Sequence, residues 1–224
     1  MKKKQVQRLV AFSLATMMTL QGLSVNASGQ VQVRTDSNTQ MSSDKEVVYV
    51  NTYDTSKRVH DFDANWKFYL GDADGAEAVN FDDSAWRTVS VPHDYSIEQE
   101  YTQSGEAESG YLPGGTGWYR KHFTLTEDMK DKEIRLDFGG VYMNATVWVN
   151  GTQLGTHPYG YTPFSFDITD YVKAGEENVI TVKVDHQTPS SRWYSGSGIY
   201  RSVDLTVMDK VHVDLNGTKI APPN

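Results

Sequence analysis

Ala145-Thr146-Val147-Trp148-Val149-Asn150-Gly151-Thr152-Gln153-Leu154-Gly155-Thr156 reads as two strands folded back on each other. Val147 and Val149 point one way and Thr146 and Trp148 the other, the two-residue period of a pleated strand. Asn150-Gly151 supplies two residues that tolerate positive φ, which the tight hairpin turn requires. The stretch predicts a hairpin of residues 145–149 with residues 152–156.

The same period extends outward in both directions. Residues 133–138, 180–185 and 203–207 alternate apolar with polar, each expected to bury one face and wet the other. Further candidate strands are residues 46–51, 66–70, 88–91, 118–125 and 164–168, and no stretch after residue 27 sustains a helical stripe. Many short strands with closely spaced turn signals predict an all-β sandwich.

Residues 1–27 combine a basic start, an apolar run from Leu9 to Leu20 and a small-residue site at Val25-Asn26-Ala27, the pattern of a secretory signal peptide. The apolar run is short of the ~20 residues that span a bilayer, so no stable membrane insertion is expected. Export, to the medium or an extracytoplasmic space, follows. Residues 28–45 are polar and read as a disordered leader, and residues 46–208 make one domain's worth of chain. A domain of this size buries roughly 70% of its unfolded surface. With no cysteine, the exported chain must draw its stability from that core. A net charge of −8 argues against nucleic acid as a partner and suits a neutral ligand such as a sugar. Residues 209–224 begin a new alternating strand at Lys210-Val211-His212-Val213-Asp214-Leu215, too little for a domain of its own.

Candidate functional residues gather in two stretches. Pro189-Ser190-Ser191-Arg192-Trp193-Tyr194-Ser195-Gly196-Ser197-Gly198-Ile199-Tyr200-Arg201 sets two aromatics and a cation among glycines and runs into an expected strand 199–207. Gly196 and Gly198 allow a bent, closely approaching backbone. Arg192, Trp193 and Tyr194 can then form a sugar-reading rim, flat apolar faces for pyranose C–H groups and donors for hydroxyls, or the rings can simply pack in the core. Asp94, in Pro92-His93-Asp94-Tyr95, opens a long irregular segment at residues 96–115. It can accept a hydrogen bond from a substrate hydroxyl beside Arg192, or it can form an Asx-turn or a structural ion pair with that arginine. The aromatic loop Tyr159-Gly160-Tyr161-Thr162-Pro163-Phe164 is expected to be buried, because three exposed rings would make a costly patch.

No metal or other cofactor is expected. His60, His93, His122, His157, His186 and His212 lack the spacing of metal ligands, and Asp72-Ala73-Asp74-Gly75 lacks the carboxylate ladder of a calcium loop. Ser195 and Ser197 stand outside any nucleophile-elbow pattern. Asp82-Asp83, Glu106 with Glu108, and Glu176-Glu177 lie in polar turns where carboxylates are solvated and not poised as acids.

Four ordered motifs carry a family resemblance: VPHDYSIEQE (91–100), GGTGWYRKHF (114–123), FGGVYMNATVWVNGTQLGTHPYGYTPFSFDIT (138–169) and RWYSGSGIYR (192–201). From residue 58 to residue 207 the chain resembles the amino-terminal sugar-binding domain of glycoside hydrolase family 2, in the form found in bacterial β-galactosidases. The resemblance implies a jelly-roll sandwich whose Pro-His-Asp loop faces the mouth of a catalytic barrel. It also implies an immunoglobulin-like domain from about residue 209, then the (α/β)₈ barrel that holds both catalytic glutamates. A retaining glycosidase needs that pair of carboxyl groups roughly 5–5.5 Å apart. This chain is thus expected to be the amino-terminal fragment of a larger enzyme, inactive alone, with a β-galactoside and the barrel as its partners. Some relatives place an acidic sugar ligand just before the Ser-Gly-Ile segment; here that neighbourhood reads Arg192-Trp193-Tyr194-Ser195, so no such ligand is carried over. Two other readings stay open, an autonomous carbohydrate-binding module and a purely structural buttress, and exposure of Trp193 and Tyr194 separates them.

Overall fold

The two-residue alternation is met by two antiparallel sheets. The computed structural model describes residues 57–215 and 217–221, and the backbone of two short strands, β1 (Leu23–Val25) and β2 (Val31–Val33). Those two pair antiparallel, Leu23 opposite Val33, within a unit of their own at residues 1–48. The rest of the expected signal peptide and leader, and the expected strand 46–51, lie outside the described residues.

The sandwich holds β3 (Val59–Asp61), β4 (Trp66–Leu70), β5 (Arg87–Val89), β6 (Gly115–Thr124), β7 (Glu133–Phe138), β8 (Ala145–Val149), β9 (Thr152–His157), β10 (Phe164–Asp167), β11 (Glu177–His186) and β12 (Val203–Met208). One sheet runs β10-β7-β12-β3 and the other β5-β4-β6-β11-β8-β9. The only helical pieces among the described residues are the three-residue 3-10 turns Glu127–Met129 and Thr169–Tyr171. No helix there is long and apolar enough to cross a membrane. Asn150 and Gly151 take φ of 48° and 79° and join β8 to β9, as the sequence predicts.

Inward side chains of both sheets share one core. Trp66, Phe68, Tyr119, Val147 and Val182 of the six-stranded sheet meet Leu136, Phe138, Val203 and Leu205 of the four-stranded one. The expected wet faces hold on β7 but fail at two threonines. Thr181 and Thr206 are buried, each because a polar partner covers it: Thr181 Oγ1 accepts from Arg120, and Thr206 Oγ1 donates to Asp137.

Three expected strands change extent. Residues 88–91 become β5, Arg87–Val89, and past its end the Val91 N–H turns away to donate to Asp63 O. The strand expected from residue 199 starts at Val203, since the carbonyls of Ile199 and Ser202 accept from His93 and Gly139. Residues 210–215 form no strand. No neighbouring strand among the described residues takes up their backbone groups, and Val211 stands almost fully exposed.

Residues 71–86 lie over the outer face of the six-stranded sheet, where Ala76, Trp86 and Trp118 are buried together with Phe81 and Trp148 against them. Arg120, fully buried, fastens this cover. Its Nε donates to Asp83 Oδ2 at 2.7 Å and its other nitrogens donate to the carbonyls of Ala76, Ala78 and Val79. Asp83 is therefore not the solvated carboxylate the sequence suggests. Burial alone would raise it, but hydrogen bonds from His122 and Arg120 outweigh that and hold it below the usual carboxylate range. The Asp83 hydrogen bond, at 2.8 Å, raises His122 in turn.

Asp83, depressed in the fold, contributes stability that is present above about pH 3.9 and lost as pH falls through its folded value. His122, raised, contributes stability that is present below about pH 6.5 and lost as pH rises through its folded value. Asp83→Asn should cost about 3 kcal/mol in urea unfolding, by leaving the Arg120 charge unpaired, and should flatten both arms of the stability–pH curve.

Candidate functional site

Three backbone segments meet at one rim of the sandwich. His93 N donates to Ile199 O at 2.7 Å and Tyr95 N to Ser197 O at 2.9 Å, while Tyr142 and Gly198 exchange both backbone hydrogen bonds. The turn at 92–95 is thereby zipped to residues 197–199, and these to Tyr142. A side chain at Gly198, φ 118°, would run into the Tyr119 hydroxyl and the His93 carbonyl. Only glycine permits that approach.

Asp94 closes the junction. Its Oδ1 accepts from the backbone N–H of Ser96 at 2.9 Å and of Ser197 at 2.8 Å, and its Oδ2 accepts from the Tyr194 hydroxyl. Gly196, φ 73°, leaves room for that carboxylate, since a Cβ there would lie 2.7 Å from Oδ2. Asp94 thus forms the Asx-turn that the sequence offers as one alternative, but its side-chain partner is Tyr194 and not Arg192. The Arg192 guanidinium is exposed and makes no hydrogen bond or ion pair among the described residues. Bent backbone at 190–196 parts the two side chains that lie close in the sequence reading.

Beneath the junction runs a buried hydroxyl network. Ser96 Oγ meets Ser197 Oγ and donates to Pro113 O, and Ser197 Oγ meets His186 Nδ1. His186 Nε2 meets Ser190 Oγ at 2.7 Å. Burial lowers the His186 pKa, which favours the neutral ring. His93 is lowered for the same reason and holds the Tyr119 hydroxyl through Nδ1 at 2.7 Å. None of these packing roles was legible from residue type alone.

Above the junction the aromatics face solvent. Trp193 is 60% exposed and Tyr194 42%. The Trp193 indole N–H donates to Tyr161 Oη at 2.8 Å, and Tyr161 stands edge-on to Tyr142 and Tyr159. The expected burial of the 159–164 loop holds for Phe164, which stacks on Phe138 of the core, and is corrected for the other two rings: Tyr159 is exposed and Tyr161 half-buried, because that part of the loop sits beside Trp193. Tyr101 is exposed as well, and a phenolate there would oppose ionisation of the Tyr194 phenol. Burial first, then the hydrogen bond to Asp94, push the Tyr194 phenol up, so it stays a neutral donor to Asp94 with oxygen lone pairs open to a ligand.

Chemically this is a recognition surface. Its Asp94 carboxylate is spent on three protein donors, leaving about one of its four lone-pair positions for a ligand. Asp204 is the one carboxylate among the described residues that is pushed up, by partial burial and then by Asp63, Asp137 and Asp61, and it lies on β12, outside the rim loops. Asp94→Ala should cost about 3 kcal/mol in thermal or urea unfolding and deprotect the Ser96 and Ser197 amides to hydrogen exchange. Asp94→Asn keeps an oxygen for both amides and should stay within about 1 kcal/mol of the parent.

The comparisons with known proteins identify the family of this sandwich. Residues 59–209 match the family model of the glycosyl hydrolases family 2 sugar binding domain. Beta-galactosidase BoGH2A of Bacteroides ovatus is 47% identical over 163 residues, 71% of this chain and 19% of that protein. A putative beta-glucuronidase of Formosa agariphila is 42% identical over 166 residues, 73% of this chain and 16% of that protein. The chain therefore spans less than a fifth of the length of these relatives. A solved family 2 member from Bacteroides cellulosilyticus superposes with a TM-score of 0.67 at 45% identity, over 68% of this chain and 21% of that one. The chain belongs to glycosyl hydrolase family 2, and residues 59–209 are that family's sugar-binding domain.

Proposed function

We propose that the chain is the sugar-binding part of a secreted retaining glycoside hydrolase acting on β-galactosides, with a jelly-roll sandwich that presents a rim to the substrate. The observation that carries the reading is the exposed Trp193–Tyr194 pair, with Tyr194 locked by Asp94. Trp193 offers a flat face to pyranose C–H groups. Tyr194 Oη, donating to Asp94, accepts from a sugar hydroxyl, and Arg192, exposed and without a hydrogen-bond partner among the described residues, donates to another. The galactoside assignment follows the 47% identical relative, whose name is a beta-galactosidase. In this reading the acid/base and nucleophile are two glutamates of a barrel beyond these residues, and the rim orients the sugar toward them. The signal-peptide pattern of residues 1–27 supports export.

Exposure of Trp193 and Tyr194 also favours direct sugar contact over a purely structural buttress. The test is a heteronuclear NMR titration of the chain with galactose and with lactose, following the indole N–H of Trp193. Saturable shifts at Trp193, Tyr194 and Asp94 are expected, with dissociation constants in the millimolar range, about 4 kcal/mol of binding. Absence of any shift up to about 50 mM sugar would rule out a rim that reads sugar unaided.

A further inference from the structure

The turn that sends Asp94 toward residues 194–197 sends His93 the opposite way. Its imidazole Nε2 lies 3.1 Å from Arg87 Nη2 and 3.2 Å from Glu98 Oε1, and Arg87 and Glu98 pair with each other. This ion pair edges an open cavity of about 570 Å³ whose wall includes Tyr69, Leu70, Trp86 and Gln99. None of these residues belongs to the Trp193 rim.

The wall is aromatic and held in place. Tyr69 stacks on Trp86 with centroids 5.5 Å apart and planes at 21°, yet Tyr69 remains 42% exposed. The Arg87 guanidinium lies 4.8 Å over the Phe68 ring. Gln99 Nε2 donates to the carbonyls of Pro113 and Gly114 at 3.3 and 3.2 Å, which fixes the amide, and its Oε1 is left without a donor among the described residues. Partial burial would raise Glu98, but hydrogen bonds from Arg87 and His93 outweigh it and keep the carboxylate ionised.

The mixture selects the ligand. An apolar peptide side chain would strip water from Arg87 and Glu98 without replacing it. A phosphate or nucleic acid would meet the Glu98 carboxylate in a chain of net charge −8. A neutral sugar satisfies every group: C–H bonds against Tyr69, hydroxyls accepting from Arg87 and donating to Glu98 and Gln99. The volume falls within the range of about 300–1,000 Å³ common to small-molecule sites. We infer that the stacked Tyr69–Trp86 wall and the Arg87–Glu98 pair form a second carbohydrate site, taking one or two neutral pyranose units and separate from the Asp94 rim. It does not depend on the proposed role of that rim. A second foothold of this kind raises the local concentration of a polymeric or surface-bound glycan at the first.

The chain is titrated with galactose, xylose and lactose, each to about 50 mM. Amides of residues 69–70, 86–87 and 98–99 are followed separately from those of 193–194. At least one sugar should give saturable shifts in the first group. Tyr69→Ala should weaken them at least tenfold, and Arg87→Gln, which keeps the aromatic wall, should do so as well, with amide dispersion elsewhere unchanged. Trp193→Ala should leave them as they are. The proposal is overturned if no sugar shifts the first group, if Trp193→Ala abolishes those shifts, or if both wall variants leave them intact. Because each site has its own resonances, failure here and failure of the rim reading are read apart.

Discussion

A fully buried guanidinium governs how this sandwich is finished on its outer side. Arg120 projects from β6 away from the core, into a layer of chain that has no secondary structure of its own. Carbonyls in such a segment need donors, and a guanidinium supplies five N–H groups in one plane. Carbonyls of Ala76, Ala78 and Val79, the Asp83 carboxylate and the Thr181 hydroxyl accept from it. The segment is thereby held where Trp86 can stack on Tyr69 and Phe81 can meet Trp86 edge-on. The next residue, Lys121, points the other way and is buried too. Its Nζ donates to Ala64 O and stands 4.3 Å from the Phe62 ring centre. Burial pushes it down to about 8, with Asp61 and Asp63 opposing. One strand thus carries two buried cations on opposite faces, each held by carbonyls and an aromatic ring.

The rim follows a different logic. Its rigidity comes from backbone pairing of residues 93–95 with 197–199, and one carboxylate then locks the loop that bears the rings. A sugar is read by weak contacts, so preorganised rings lose little entropy on binding. Tyr194 is restrained through Asp94 and Trp193 through Tyr161, while Arg192 has no hydrogen-bond or ion-pair partner among the described residues. The two rings are thus fixed by protein hydrogen bonds, and the Arg192 side chain beside them is exposed.

Both surfaces share the Pro92–Ser96 turn. Alternate side chains of that turn go to opposite sides: His93 to Arg87 and Glu98, Asp94 to Tyr194 and Ser197. Tyr95 goes inward, stacks on Phe68, and donates its hydroxyl to Gly115 O at 2.7 Å. A change in the turn is therefore felt at both surfaces through covalent neighbours.

The sequence by itself determined most of the sandwich strands, the Asn150-Gly151 hairpin and the family, because alternation and turn chemistry are local properties of the chain and four ordered motifs spell out the rest. It also named Asp94, Arg192, Trp193 and Tyr194 as candidates for one loop-built rim, with Arg192 as the expected partner of Asp94. What it could not determine was partnership at long range. Asp94 and Tyr194 are a hundred residues apart, and Asp83 and Arg120 thirty-seven. Only the closed fold decided that Asp94 holds Tyr194 and not Arg192, that Asp83 is a buried counter-ion, and that Tyr159 lies exposed beside Trp193. The physical reason is that a hydrogen bond depends on where side chains end up in space, and that position is set by sheet register and loop path, not by the residue's own neighbours in sequence.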